Sequence, residues 1–450
     1  MKSTSMDEIV SLSKRRGFVF QSSEIYGGLA GFYDYGPLGV ELINNLKNSW
    51  WRAMVKDHDN IFGIDGAIIQ NPQLWEASGH LAGFTDPMVE DVLTHKRYRA
   101  DHLAGVDTTD LKELKSLLKD KRSPDGNQLS EPRYFNMMMR TWVGPVEDDA
   151  AIAYLRPETA GAMFINYLNV KETMRAKLPF GIAQIGKAFR NEISPRDFIF
   201  RVRELEQMEM QYFIKPDSQE EAYESWRQFA WRFLTTELGI KESSLSWHEH
   251  DANERAHYAK AAVDIYFKFP QGPKELWGTH NRTDYDLSSH MKSSGKDLSY
   301  LDETNGERFV PYVIESSVGV GRMLLAVLCD AYCEESVNQE TRTVLKLKPV
   351  LAPYKLAVSP LLKNKPELVA FAKKLYAELK QEFGMVMWDD NGNIGKRYRR
   401  QDEIGTPFCV TIDFQSLTDQ SVTLRDRDTT KQERIAAGQL ISTIKEGLKR

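Results

Sequence analysis

Two hydrophobic rhythms run along the chain, one with a period of two residues and one of three to four. Residues 182–192 (IAQIGKAFRNE) follow the first, and as a strand they place Gly186, Ala188, Arg190 and Glu192 on one face. A returning strand is predicted from Phe198, after a loop carrying Pro195, Arg196 and Asp197. It sets Phe200, Val202, Met208, Met210 and Tyr212 on one side and Arg201, Arg203, Gln207, Glu209 and Gln211 on the other. One face reads as core and the other as a polar floor, where two small residues leave room for a ligand. Residues 309–315 (FVPYVIE) read as a third strand, leading through Ser316, Ser317, Val318, Gly319, Val320, Gly321 and Arg322 into an apolar helix, Met323 to Tyr332. Arg322 stands at a helix start, where a cation is unfavourable unless an anion shares the site. The two glycines let backbone come close to such an anion.

The helical rhythm appears first after Gly36-Pro37-Leu38-Gly39, where Leu42, Ile43, Leu46, Trp50 and Met54 form one apolar stripe. Residues 109–120 (TDLKELKSLLKD) predict a short amphipathic helix with Leu111, Leu114 and Leu118 inward, ended by the turn sequence at 123–127. Ser218 and Glu221 have capping-box spacing and predict a helix bearing Ala222, Trp226, Phe229, Ala230 and Phe233, closing at Gly239. Beyond residues 348–353 strands and helices alternate: strand 355–358, helix 366–383, strand 384–388, helix 395–401, strands 407–412 and 421–425, helix 431–444. That pattern implies a small α/β domain over a mixed sheet. Residues 291–296 (MKSSGK) look superficially like a phosphate loop, but lack the earlier glycine and the hydroxyl residue after the lysine, and are expected to be a solvated loop.

At 450 residues the chain exceeds what one core supports, and roughly two to four domains are expected. No apolar run approaches the roughly 18 residues of a membrane helix, and the charged N-terminus lacks a signal-peptide pattern, so a cytoplasmic protein with no membrane partner is expected. Cys329 and Cys333 lie one helical turn apart in an apolar run and Cys409 in a strand-like stretch, so all three read as core residues, and no Cys/His group has the spacing of a structural zinc site. The net charge of −5 hides an asymmetry. Residues 346–450 carry 19 Lys and Arg against 13 Asp and Glu, a balance of +6 that leaves −11 for the rest, so a polyanion would be held at the C-terminal end.

The run Phe189-Arg190-Asn191-Glu192, a loop, then Phe200-Arg201-Val202-Arg203-Glu204-Leu205-Glu206-Gln207-Met208-Glu209 resembles the second signature motif of class II aminoacyl-tRNA synthetases, in the form typical of dimeric glycyl-tRNA synthetases. About twenty matched positions make a specific signal. Tyr154-Leu155-Arg156-Pro157-Glu158-Thr159-Ala160 is similar to the same group, which usually continues Gln-Gly where this chain has Gly161-Ala162. Similar too are Ser78-Gly79-His80, Tyr98 to His102, Lys274 to Leu287, and Ser316 to Arg322 as the third motif.

The resemblance implies an α+β fold, with a class II core of antiparallel sheet flanked by helices over residues 1–345, insertions around 85–150 and 214–305, and an anticodon-binding α/β domain at 346–450. It implies glycine activation by ATP with Mg2+ and transfer to tRNA(Gly) by a homodimer, whose interface would use the first-motif helix after Gly36. Arg190, Glu192 and Arg322 would be catalytic. ATP would be bound by those three with Asn191, Phe200, Arg201, Val202, Arg203, Glu204, Leu205, Glu275, Leu276, Gly319, Val320 and Gly321, and Glu275 would hold the metal. Glycine would meet Arg99, Glu158, Leu205, Glu206, Gln207, Met208, Glu209, Glu315, Ser316, Ser317, Val318 and Gly319. Within the run Lys396-Arg397-Tyr398-Arg399-Arg400, four basic residues and a tyrosine suit phosphate contact and base stacking on tRNA. A non-catalytic accessory subunit of the same fold would have lost Arg190, Glu192, Glu275 and Arg322, all of which are present.

Overall fold

The computed structural model describes residues 4–106, 108–251, 260–337 and 339–449. Its centre is a seven-stranded sheet in the order Leu245–Glu249, Ala261–Phe269, Gly272–Thr283, Tyr312–Gly319, Glu204–Ile214, Phe180–Phe189 and Ile61–Gly63. All neighbours are antiparallel except the last pair. The register explains the polar floor. Directly opposed residues share a face, so Gly186, Gln207 and Gly319 make one row and Gln184, Glu209, Ser317, Gly278 and Asp264 the next. A third row joins Gln211, Glu315 and His280. The intervening rows, including Met208 with Val318 and Met210 with Ser316, turn to the other side.

On that other side lies the largest core, where Met208, Met210, Trp277 and Val318 pack with helix Val320–Ala331 and with residues of helices Pro37–Trp51 and Gln219–Arg232. Helix Val320–Ala331 buries eight of its residues, among them every residue from Met323 to Leu328. Each large aliphatic side chain so buried contributes roughly 1.5–3 kcal/mol, which makes this helix the anchor of the domain. Smaller pieces decorate the edge. Strands Thr85–Glu90, Arg97–Arg99 and Arg133–Asn136 form a separate sheet, closed by helix Leu111–Leu118 through Val89, Ala100, Leu114 and Leu118.

The C-terminal part has a five-stranded mixed sheet in the order Val386–Trp388, Leu356–Pro360, Phe408–Ile412, Ser421–Asp426 and Gln432–Ala436, with its own apolar core. A buried charge node ties it to the rest. Asp402 accepts from Arg342 at 3.0 Å and from Arg425 at 2.7 and 3.0 Å, and Arg427 donates to the carbonyls of Leu347 and Gly405. All four side chains are nearly inaccessible.

Several elements differ from expectation. The returning strand begins at Glu204, because residues 198–200 form a 3-10 turn that starts with Asp197 and Phe198 at positive φ. The strand 309–315 runs instead from Tyr312 to Gly319, and its helix starts at Val320. No capping box forms at Ser218, which instead ends the 3-10 turn Pro216–Ser218 and has its hydroxyl on Asp217. The expected final helix divides into strand Gln432–Ala436 and helix Leu440–Gly447, since the arginine-bearing stretch pairs with Ser421–Asp426. Residues 291–294 are the last turn of helix Tyr285–Ser294, stopped by Gly295 at φ +69°. Cys329 and Cys333 are only half-buried and straddle the end of a helix. The stripe Leu42, Ile43, Leu46, Trp50 and Met54 is buried inside the single chain, so these side chains are not free to form a subunit interface. The nearby exposed apolar residues are Ile25, Tyr26, Leu29 and Val40.

Candidate active site

The polar face of the sheet carries a cleft whose two ends differ in charge. The cationic end is built by the turn between the two central strands and the start of helix Val320–Ala331. Arg322 lies over the Phe200 ring, with its guanidinium carbon 4.4 Å from the ring centroid, and pairs with Glu275 at 2.9 Å. That pairing holds the Glu275 carboxyl below its usual range. Arg190 donates to the Pro157 carbonyl at 3.1 Å and sits 5.6 Å from the Phe84 ring. Arg203 clamps the loop by donating to the carbonyls of Glu192 and Ala30, and Arg201 stands 4.0 Å from the Glu192 carboxylate. Gly321 eases a close approach here, since a Cβ would sit tightly, 3.1 Å from the Tyr35 hydroxyl and 3.3 Å from the Ile199 carbonyl.

This end has a cavity of about 110 Å³, lined by Arg190, Glu192, Phe200, Glu275, Ser317 and Arg322 among others. A stacked base would need about 7 Å between Arg322 and Phe200, two van der Waals thicknesses, so the arginine must lift for one to enter. Among the described residues no three His, Cys, Asp or Glu side chains converge to hold a metal. Glu275 is a single, half-exposed carboxylate among cations, which fits Mg2+ bound mainly by substrate phosphates rather than by a protein cage.

The other end is acidic, with Glu209 and Glu315 buried. Glu209 and Glu315 are bridged by Gln211, whose Nε2 donates to both at 3.0 and 2.8 Å. Glu315 also accepts from Arg282 at 2.9 Å and contacts His280 Nδ1 at 2.9 Å. Burial opposes ionisation of Glu315, yet Arg282 and His280 hold its carboxyl far below the usual range. Burial likewise opposes the charge on His280, but Asp264 and Glu315 raise its pKa to about 10, so it is an imidazolium. Glu158 lies 3.4 Å from His80 Nε2, and Ser78 contacts the same ring at Nδ1. Burial raises the Glu158 carboxyl, and the facing His80 and Arg282 outweigh it and lower it. Beneath them Arg156, fully buried, donates to the carbonyls of Gly66 and Lys187. A Cβ on Gly186 would come within 2.2 Å of that guanidinium, so only glycine admits it.

The sequence-expected residues therefore divide. Glu158, Glu209 and Glu315 converge, with Ser317 one strand away in the Glu209 row. Arg190, Glu192, Phe200, Arg201, Val202, Leu205, Gly319, Gly321 and Arg322 line the cationic end together with Glu206 and Gln207. Met208, Ser316, Val318 and Leu276 send their side chains to the opposite face, Ser316 accepting from the Trp277 indole at 2.9 Å. Glu204 and Glu206 pair with Lys187 and Lys47. Arg99 is gripped by Asp86 and Asp101 and its charge faces Glu192. Gln184 and His280 escaped sequence reasoning, while Gln211 was placed only on the polar face and His80, Arg156 and Arg282 only within motifs, with no role in the site. Period-two alternation through Gly278, His280 and Arg282 would have found His280 and Arg282.

In the C-terminal part, Arg397 is buried and donates to the carbonyls of Pro360, Asp390 and Gly392. Arg400 is held by Asp389, Arg399 by Glu340, and Tyr398 lies under Arg425. Lys396 alone of the run is exposed.

Comparison with known proteins decides the family. Residues 145–331 match the tRNA synthetase class II core domain (G, H, P, S and T), and residues 355–447 match an anticodon binding domain. The chain is 51% identical to a glycine–tRNA ligase of Treponema denticola, over 99% of this chain and 97% of that protein. It is 47% identical to a glycine–tRNA ligase of Thermus thermophilus over the whole of both.

The chain belongs to the glycine–tRNA ligases.

Its fold is also that of a solved Giardia lamblia prolyl-tRNA synthetase in complex with prolyl-adenylate, with a TM-score of 0.70 over 100% of this chain and 80% of that one, at 14% identity. For a glycine–tRNA ligase the two-ended cleft is chemically apt. A polyphosphate needs the arginines, and an ammonium with no side chain to accommodate needs the carboxylates.

Proposed function

We propose that the cleft performs glycine–tRNA ligation in two steps, with the roles of its ends fixed by their charge. In the first step the glycine carboxylate attacks the α-phosphorus of ATP in line, giving glycyl-adenylate and pyrophosphate. Arg190 neutralises the α-phosphate, Glu192 accepts from the adenine amino group, and the base enters between Phe200 and Arg322. Arg322 thereby leaves Glu275, which would hold Mg2+ together with the ATP oxygens, and the ion would supply charge to screen the phosphates. Little bond chemistry falls to side chains, so positioning and charge neutralisation supply most of the rate. In the second step the 3′-terminal ribose hydroxyl of tRNA(Gly) attacks the adenylate carbonyl.

Glu158, Glu209 and Glu315 surround the glycine ammonium. A larger amino acid would have to displace buried hydrogen-bonded charges, so exclusion needs no editing step. Residues 1–345 act as the catalytic domain and 346–450 as the anticodon-binding domain, with Lys396 and Arg399 the residues of the basic run best placed to reach tRNA. The enzyme works as a homodimer in the cytoplasm, and the apolar residues left on its surface near the first motif, Ile25, Tyr26, Leu29 and Val40, belong to the dimer face. Among the described residues no helix is long and apolar enough to cross a membrane.

The observation that carries this reading is the placement of an arginine-rich end and two buried carboxylates, Glu209 and Glu315, on one sheet face with Glu158 beside them, in a chain half identical to glycine–tRNA ligases over nearly its full length. Pyrophosphate exchange into ATP with each of the twenty amino acids, without tRNA, tests it. A signal with glycine alone is expected. No signal with any amino acid, in folded protein, would overturn it.

A further inference from the structure

We propose that Glu209 carries a proton until glycine arrives, so that each glycine bound releases one proton to solvent. The inference rests on the reading of this pocket as the glycine site.

The geometry begins with a shortage of cations. Glu209 is 2% exposed, and among the described residues no cation forms an ion pair with it. Its Oε2 accepts from the Thr159 hydroxyl and its Oε1 from Gln211 Nε2, which also donates to Glu315. The charges facing it come from every neighbouring element. From strand Gly272–Thr283, Arg282 is divided between Glu315 and a bidentate pair with Asp286 of helix Tyr285–Ser294. From the same strand His280 contacts Glu315 and stands 3.6 Å from Asp264 of strand Ala261–Phe269. Arg156, which precedes Glu158, directs its donors to backbone carbonyls. Glu158 faces His80 of helix His80–Gly83. The cations around Glu209 are thus already engaged: Arg282 by Glu315 and Asp286, His280 by Glu315 and by Asp264, which His250 also contacts at 2.8 Å, and Arg156, whose charge reaches Glu209, by backbone carbonyls. Two buried carboxylates linked through one amide cannot both be charged without further compensation, and the proton falls to the one with no ion pair.

Two further observations agree. Burial, then Glu315, then Glu158, raise the Glu209 carboxyl well above its usual range. The Oε1 atom of Gln211 is buried with no donor among the described residues, so the cluster has more acceptors than donors.

An ammonium brings three donors, no acceptor and one positive charge. Placed between Glu158, Glu209 and Glu315 it makes the ionised form of Glu209 the stable one. The O–H bond of Glu209 breaks, its electron pair stays on the carboxylate, and the proton leaves to buffer. The glycine nitrogen keeps its three hydrogens. Below the pH at which free Glu209 ionises, glycine affinity then rises about tenfold per pH unit.

Calorimetric titration of the full-length enzyme with glycine at pH 7, in phosphate, imidazole and Tris buffers of different ionisation enthalpy, counts the protons. A slope close to one proton released per glycine is expected. Measurable binding with a slope of zero overturns the inference while leaving the glycine site standing, whereas failure to bind glycine at all strikes the site itself. The Glu209→Gln variant, checked for folding by thermal melting, should bind glycine more weakly and release no proton; a full proton from this variant also overturns the inference. Independently, KM for glycine in pyrophosphate exchange should fall between pH 6 and 7 by about tenfold. A flat profile contradicts it.

Discussion

One strand, Glu204–Ile214, passes through two opposite electrostatic environments. Near its start it borders the arginines of the nucleotide end, and within a few residues it reaches the buried carboxylates. The ends differ in access as well as in sign. Arg322 and Arg201 keep about a quarter of their side-chain surface in solvent, at 24% and 26%, whereas Glu315 keeps 7%. Water screens the cations and leaves them free to change partners; the carboxylates are held in a low-dielectric network that resists rearrangement. On the proposed assignment, a large, flexible ligand would be met by movable groups and the smallest amino acid by a rigid network.

The contrast can be broken most sharply at the nucleotide end. Arg190→Ala and Glu192→Ala should each lower pyrophosphate exchange by at least ~10³-fold, on the scale of lost transition-state charge stabilisation, with melting temperature unchanged. A normal rate in either would remove the nucleotide end from the mechanism. At the acidic end Glu315→Gln should raise KM for glycine by roughly 10–100-fold, the range for losing a charge-assisted hydrogen bond, while KM for ATP stays put. Equal rises in both would show that the ends are not independent.

A pH experiment sharpens the difference in rigidity. His280 has a folded pKa of about 10, above its unfolded value, so its contribution to stability is complete below the unfolded pKa of ~6.5 and is lost as pH climbs towards 10. Chemical denaturation from pH 6 to 10 should show this loss, and His280→Gln should flatten it. The smallest effect belongs to the C-terminal part. Lys396→Ala should leave exchange untouched and weaken tRNA binding modestly, reducing the slope of log affinity against log salt by about one. An unchanged slope would place tRNA elsewhere.

What the sequence disclosed follows from which interactions are local. The alternation around Gly186 and Gln207 announced a polar floor because a strand's faces are set by its own period. Arg322 was legible because a cation at a helix start is locally anomalous. The Lys396–Arg400 run was less legible for the opposite reason. A cluster of charge says nothing about its partners, and the acceptors for Arg397 come from Pro360 and from a loop at 390–392. The apolar stripe from Leu42 to Met54 was equally silent on whether it would meet its own chain or another. His280 became meaningful only when the register set it opposite Glu315, a contact across 35 positions. Ser316 and Val318 were drawn in as members of a continuous motif, although a strand presents only alternate side chains to one face.

The Asp402 node has a mechanical consequence. Its carboxylate is shared by Arg342, from the hairpin after the catalytic core, and by Arg425, from the C-terminal sheet. Prising the two parts apart would break that buried link, although Asp402 would keep Arg425 and Arg342 would keep Glu335. The joint is thus a latch rather than a weld: one buried bond between two side chains that each keep a second partner when it opens.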